Sequence, residues 1–176
     1  MENYCCSGIG DEIKHNVRLT FLRKELLYDI KNYAYVESDV MGEERQHSKH
    51  VLADIGEDGN IDRVSRILSV VHAGVIELLY PYTKALPIEE EIKDMLEAPE
   101  EYVIEMQIPE TMSRTTLHLL SKLIHEYMVY RVLSDWLSIT NPEAAENWRN
   151  KAELTEREIN KTKNQRSAFT RKTHPF

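Results

Sequence analysis

Residues 127–153 read YMVYRVLSDWLSITNPEAAENWRNKAE, and the fold turns on the Asn141-Pro142 step in the middle. Proline disfavours helical backbone in the residue before it yet suits the first position of a new helix, and asparagine is a strong cap. One helix is therefore expected to end near Ile139, and a second to begin at Pro142 with Asn141 as its cap. Upstream, Leu119, Leu120, Leu123, Ile124, Tyr127, Tyr130, Leu133, Trp136 and Leu137 give an apolar face too wide for a surface helix. This predicts a central helix that starts after Pro109, with Thr111 as its cap. Downstream, Ala145, Trp148, Ala152 and Ile159 form a thin stripe on an otherwise polar helix over 142–160. Such a stripe suits docking on a neighbour, in this chain or another.

Towards the N-terminus the pattern stays helical, with two interruptions. Residues 17–22, VRLTFL, alternate as a short strand with Val17, Leu19 and Phe21 on one face. The next stretch repeats Leu26, Leu27, Ile30, Tyr33 and Ala34 at helical spacing over 23–36. A charged helix over 43–54 follows, with Val51, Leu52 and Ile55 as its buried positions. Asn60 reads as the cap of a core helix that places Ile61, Val64, Leu68, Val71, Val75 and Leu78 on one side until Pro81 stops it. Pro87 opens a short acidic helix, and residues 102–108 alternate as the second strand, with Tyr102, Ile104, Met106 and Ile108 on one face. The expected fold class is mainly α: a helical bundle with two short β-strands, about 17–22 and 102–108, and an extended C-terminal helix plus tail. Two strands this short make a marginal sheet alone, so they must pair on a helical layer or with strands of another copy. Their edges are a natural place for assembly.

A chain of 176 residues, 41 % hydrophobic, suffices for a single helical domain over 1–160, followed by a basic arm over 161–176. The formal charge of -8 is unevenly placed: residues 1–140 hold 25 acids and 14 bases, residues 141–176 hold 5 acids and 8 bases. An acidic body argues against general nucleic-acid coating, because phosphate neutralisation needs a positive surface. No apolar run reaches the roughly 20 residues of a membrane span, and the first residues have neither the basic start nor the apolar middle of a secretory signal. Synthesis in a cytoplasm, with no membrane, is the expectation. Cys5 and Cys6 are adjacent and have no further cysteines with which to build a framework, so they read as reduced thiols.

Motifs for chemistry are weak. The run from Asp54 to Ser65 matches a calcium loop at Gly59 and Ile61, but it has Gly56 at the third position and Ser65 where the bidentate carboxylate belongs. A capped polar turn is the better reading. His47 and His50, with Glu43 and Glu44 one turn earlier, would share a helix face, yet paired histidines on a charged helix are usually solvated. His72, His118 and His125 read as packed, hydrogen-bonded residues. No GxSxG, Walker or dinucleotide-binding pattern occurs, so no enzyme activity, metal or cofactor is expected. The arm reads either as a solubilising terminus or as a segment that folds against an acidic or phosphate-bearing partner, with Phe169 and Phe176 as apolar anchors among Lys163, Arg166, Arg171 and Lys172.

The long helix TLHLLSKLIHEYMVYRVLSDWL, the break, and the amphipathic PEAAENWRNKAELTEREINK with its basic tail resemble the C-terminal half of head-to-tail connector, or neck, proteins of tailed bacteriophages, over residues 109–176. The resemblance implies a virion protein made in the host bacterial cytoplasm, forming a ring, commonly of twelve copies, between the portal protein and the tail or adjacent neck proteins. DNA would pass through such a ring without sequence-specific binding. Partner-binding residues would be Trp148 and Ile159 on the docking helix, with Lys163, Arg166, Phe169, Arg171, Lys172 and Phe176 in the arm. The alternative is a cytoplasmic helical interaction or regulatory protein with no catalytic activity, offering the 142–160 helix to one partner. A metal-dependent enzyme built on His47 and His50 is a third reading.

Overall fold

The computed structural model describes residues 14–40, 55, 58–84 and 98–166. In chain order they form β1 (Lys14–Leu22), α1 (Arg23–Val40), α2 (Asp58–Leu78), β2 (Glu101–Pro109), α3 (Arg114–Thr140) and α4 (Pro142–Lys163). The described residues are mainly helical with one two-stranded antiparallel sheet, as the hydrophobic pattern predicts. The helices expected over 43–54 and after Pro87 lie outside the described residues, as do His47, His50, Cys5 and Cys6. Ile55 is buried, as expected.

The strands pair with each other over their full length, from Lys14 opposite Pro109 to Leu22 opposite Glu101. Period-two alternation decides the register: Leu19 and Phe21 face Ile104 and Tyr102 on the buried side, while Arg18 faces Glu105 on the other. The free edge of β2 is covered from α2 and the turn behind it. His72 Nε2 lies 3.0 Å from the Val103 carbonyl, and the Gln107 amide donates to the Tyr82 carbonyl at 2.8 Å. Among the described residues nothing pairs with the outer edge of β1.

Helix α3 is the axis of the bundle, with Leu120, Ile124, Met128, Val132 and Leu133 all buried. The Asn141-Pro142 step does what its residue types imply. The Asn141 amide donates to the Leu137 carbonyl at 2.8 Å and closes α3, while its Oδ1 accepts from the Ala144 amide at 3.3 Å and opens α4. Ser134 donates to the Ala145 carbonyl, the Tyr130 ring meets Trp148 at a tilt, and the Tyr127 hydroxyl reaches Glu156. Partner numbers on α4 rise as those on α3 fall, so the two helices run antiparallel. The Arg63 guanidinium, 5.3 Å from the Trp136 ring centre, ties α2 to the same axis.

Several boundaries differ from the sequence reading. The cap of α3 is Ser113, whose Oγ accepts from the Thr116 amide at 3.1 Å, rather than Thr111. Buried Met112 closes a turn onto the Pro109 carbonyl, which delays the helix by two residues. Asn60 lies inside the first turn of α2, because Asp58, Gly59 and Asn60 are all types favoured at helix starts and type alone does not rank them. That start makes residues 58–62 helical, which is incompatible with a calcium loop there. Leu119 and His118, expected inside, are exposed because α3 is covered on the sides of Leu120 and Ile124 instead. Helix α4 runs to Lys163, past the expected limit at 160, with Thr162 buried.

Candidate functional site

The residues expected to bind partners separate into three groups. Trp148 and Ile159 are buried within the chain itself, so the neighbour their stripe docks on is in this chain. Trp148 packs with ring centres 5.3 Å from Tyr33 and 5.5 Å from Tyr130, and the Lys151 ammonium sits 3.8 Å over its face. Burying the Ile159 side chain alone stabilises the fold by about 1.5–3 kcal/mol, so α4 needs no outside partner to hold its stripe. Lys163 and Arg166 form the second group and turn back onto the body. Lys163 Nζ donates to the Leu78 and Tyr80 carbonyls, and Arg166 donates to the Tyr82 hydroxyl with its guanidinium 5.6 Å from that ring. Helix α2 has no basic residue in its own last turn, so a lysine from α4 supplies the cation its terminal carbonyls favour. Partial burial holds the Lys163 ammonium below the usual lysine range. Phe169, Arg171, Lys172 and Phe176 lie outside the described residues.

Two grooves then flank α3. The first, about 450 Å³, lies between α2, α3 and α4, with Ile67, Val70 and Val71 as its apolar wall and Arg66, Arg131 and Arg149 around it. Arg149 also meets Glu146 at 3.1 Å, an exposed pair of small energetic weight. The second, about 630 Å³, lies between α1 and α3 and is lined by Tyr28, Tyr33, Lys122, Glu126 and Tyr130, together with an imidazole–carboxylate pair. That pair is His125 Nε2 and Asp29 Oδ2, 2.7 Å apart. At 3.6 residues per turn, Arg131, Ser134, Asp135 and Ser138 point to one side of α3. Lys122, His125, Glu126 and Val129 point to the other. The grooves therefore open on opposite sides of the central helix.

No family model, curated protein or solved structure matches the chain. The geometry alone carries the functional reading.

An oriented imidazole becomes a nucleophilic site only with a hydroxyl or thiol beside it. Among the described residues, no serine, threonine or cysteine lines the second groove. Its Tyr130 hydroxyl is pushed up to about 12 by burial first and then by the Glu126 carboxylate and Tyr33, so it stays protonated near neutral pH. The pair thus reads as a clamp that fastens α1 to α3 across 96 residues of sequence. Among the described residues, no group of three or more histidine, cysteine, aspartate or glutamate side chains is placed to hold a metal ion. Among those same residues, no helix is long and apolar enough to cross a membrane.

What the surface offers is packing. On α1, Tyr28 is 70 % exposed and Tyr35 is 64 % exposed, and across the molecule Val70 is 73 % exposed on the rim of the first groove. Sequence reasoning missed these positions because it followed the inward faces. A Tyr28 to Tyr35 repeat at seven residues, off the apolar stripe, was the available signal for the ridge. The groove has none, since its three arginines come from three helices.

Proposed function

We propose that the protein is a structural subunit of a homo-oligomeric ring, of the kind that connects head to tail in tailed bacteriophages. The observation that carries this reading is the pair of unlike surfaces on opposite sides of one helical body. A ring closed by rotation uses head-to-tail contacts, in which each copy presents two different patches. A tyrosine-lined groove between α1 and α3 on one side, and an arginine-rimmed groove with Asp135 and a valine wall on the other, meet that requirement. The anchoring of Lys163 and Arg166 beside the α2 terminus gives the basic arm a fixed point of departure, from which it reaches a portal, tail or adjacent neck protein. The acidic balance of residues 1–140 keeps DNA from adhering as it passes through.

Light scattering of the native protein followed by electron microscopy tests this. The expected result is a ring. The arm is examined by removing residues 167–176 only, since a cut at 161 would also remove Lys163 and Arg166 from the body. A chain that remains monomeric over a wide concentration range, with and without those residues, overturns the proposal.

A further inference from the structure

The groove between α2, α3 and α4 draws a guanidinium from each of its helices: Arg66 from α2, Arg131 from α3 and Arg149 from α4. Asp135 is the one acid among the described residues that line it. This surplus of positive charge stands on a body whose residues 1–140 hold 25 acids against 14 bases. Among the described residues, Arg66 and Arg131 make no hydrogen bond or ion pair. Arg149 pairs with Glu146 of its own helix, and both side chains are half exposed or more, so that pair yields at little cost. Ile67, Val70 and Val71 give the groove an apolar wall. Its volume of about 450 Å³ lies within the roughly 300–1,000 Å³ of small-molecule sites.

We propose that this groove binds a phosphate monoester carried on a small apolar body. A guanidinium fork meets two phosphate oxygens at once, which is why arginine serves phosphate recognition. A monoester carries about −1.5 to −2 charges near neutral pH, the amount that three arginines beside one carboxylate offset. A singly charged carboxylate leaves part of that surplus unmet. A polynucleotide fits less well, because its further phosphates would meet the acidic body beyond the groove. The isoleucine and valine wall takes the apolar body and keeps it from water. Such a ligand lies inside the groove whether or not another copy covers its rim, so its binding does not depend on the ring.

Equilibrium dialysis of the full chain tests this with 1-naphthyl phosphate, which joins head and body, beside inorganic phosphate, 1-naphthalenemethanol and 1-naphthoate. The ester should bind one per chain and at least about tenfold more tightly than phosphate or the alcohol alone. The naphthoate, with one charge, should bind more weakly than the ester. Arg66→Gln with Arg131→Gln should weaken the ester about tenfold or more, since two charged donors are lost. Asp135→Asn, which removes the opposing charge, should tighten it. All three positions are exposed, so folding is retained, which far-ultraviolet circular dichroism checks. An ester that is not retained, that binds no better than the alcohol, or that binds the arginine variant as well as the wild type overturns the site. So does an Asp135→Asn chain that binds the ester more weakly.

Discussion

His72 holds the free edge of β2 with a half-buried imidazole, 5.3 Å from the Tyr102 ring centre and bonded to the Val103 carbonyl. Burial lowers its pKa from the usual 6.5, the bond to Val103 opposing in part. The unfolded chain therefore takes up this proton more readily than the folded one. Stability is full above the unfolded value and falls as pH drops below it, until the folded group also titrates. Urea midpoints measured at about pH 7.5 and about pH 5.5 should fall on acidification. The fall should be smaller for His72→Gln, which retains a donor but has no proton to gain. A second residue-scale expectation concerns Trp148. Clamped between Tyr33, Tyr130 and Lys151, it leaves a cavity when replaced by alanine, and denaturant unfolding should show a loss of about 3–5 kcal/mol.

At the scale of elements, the Asn141 side chain opens α4, so Asn141→Ala should cost about 1 kcal/mol, seen in the same unfolding assay. Lys163 satisfies carbonyls at the end of another helix, and Lys163→Met should cost about 0.5–1 kcal/mol. Truncation after Asn160 should lower the melting midpoint measurably. The turn at Asn141 was legible because proline and asparagine act on their own backbone. The faces of α2 and α3 were legible because burial imposes a period, and Val64, Leu68, Leu120 and Ile124 fall inside as expected. Ser113 was not, since the choice between Thr111 and Ser113 depends on where Met112 finds a pocket. The fate of Lys163 was hidden for a similar reason: its partners are 83 to 85 residues away. A stripe such as Trp148 and Ile159 shows that something will cover it, without showing which chain does so.

At the scale of the molecule, the sheet joins segments 79 to 95 residues apart, while α3 and α4 meet across a single turn residue. Nearby contacts form early and distant ones late, so the helical hairpin is expected to collapse first and the sheet to zip up afterwards. During synthesis the order is harsher for β1. At about 5–20 residues per second, it waits roughly 4–20 s for β2 to be made. Through that interval Leu19 and Phe21 have no sheet to enter, and an unpaired strand of that composition invites its like from another nascent chain. Lys14, Arg18, Arg23 and Lys24 stand along and just beyond the strand, in the positions of gatekeepers that keep such encounters apart. Arg18→Ile should therefore lower the soluble yield on expression at 37 °C far more than it changes the unfolding midpoint of the protein that is recovered. The charge at residue 18 thus matters most before the protein it belongs to has a shape.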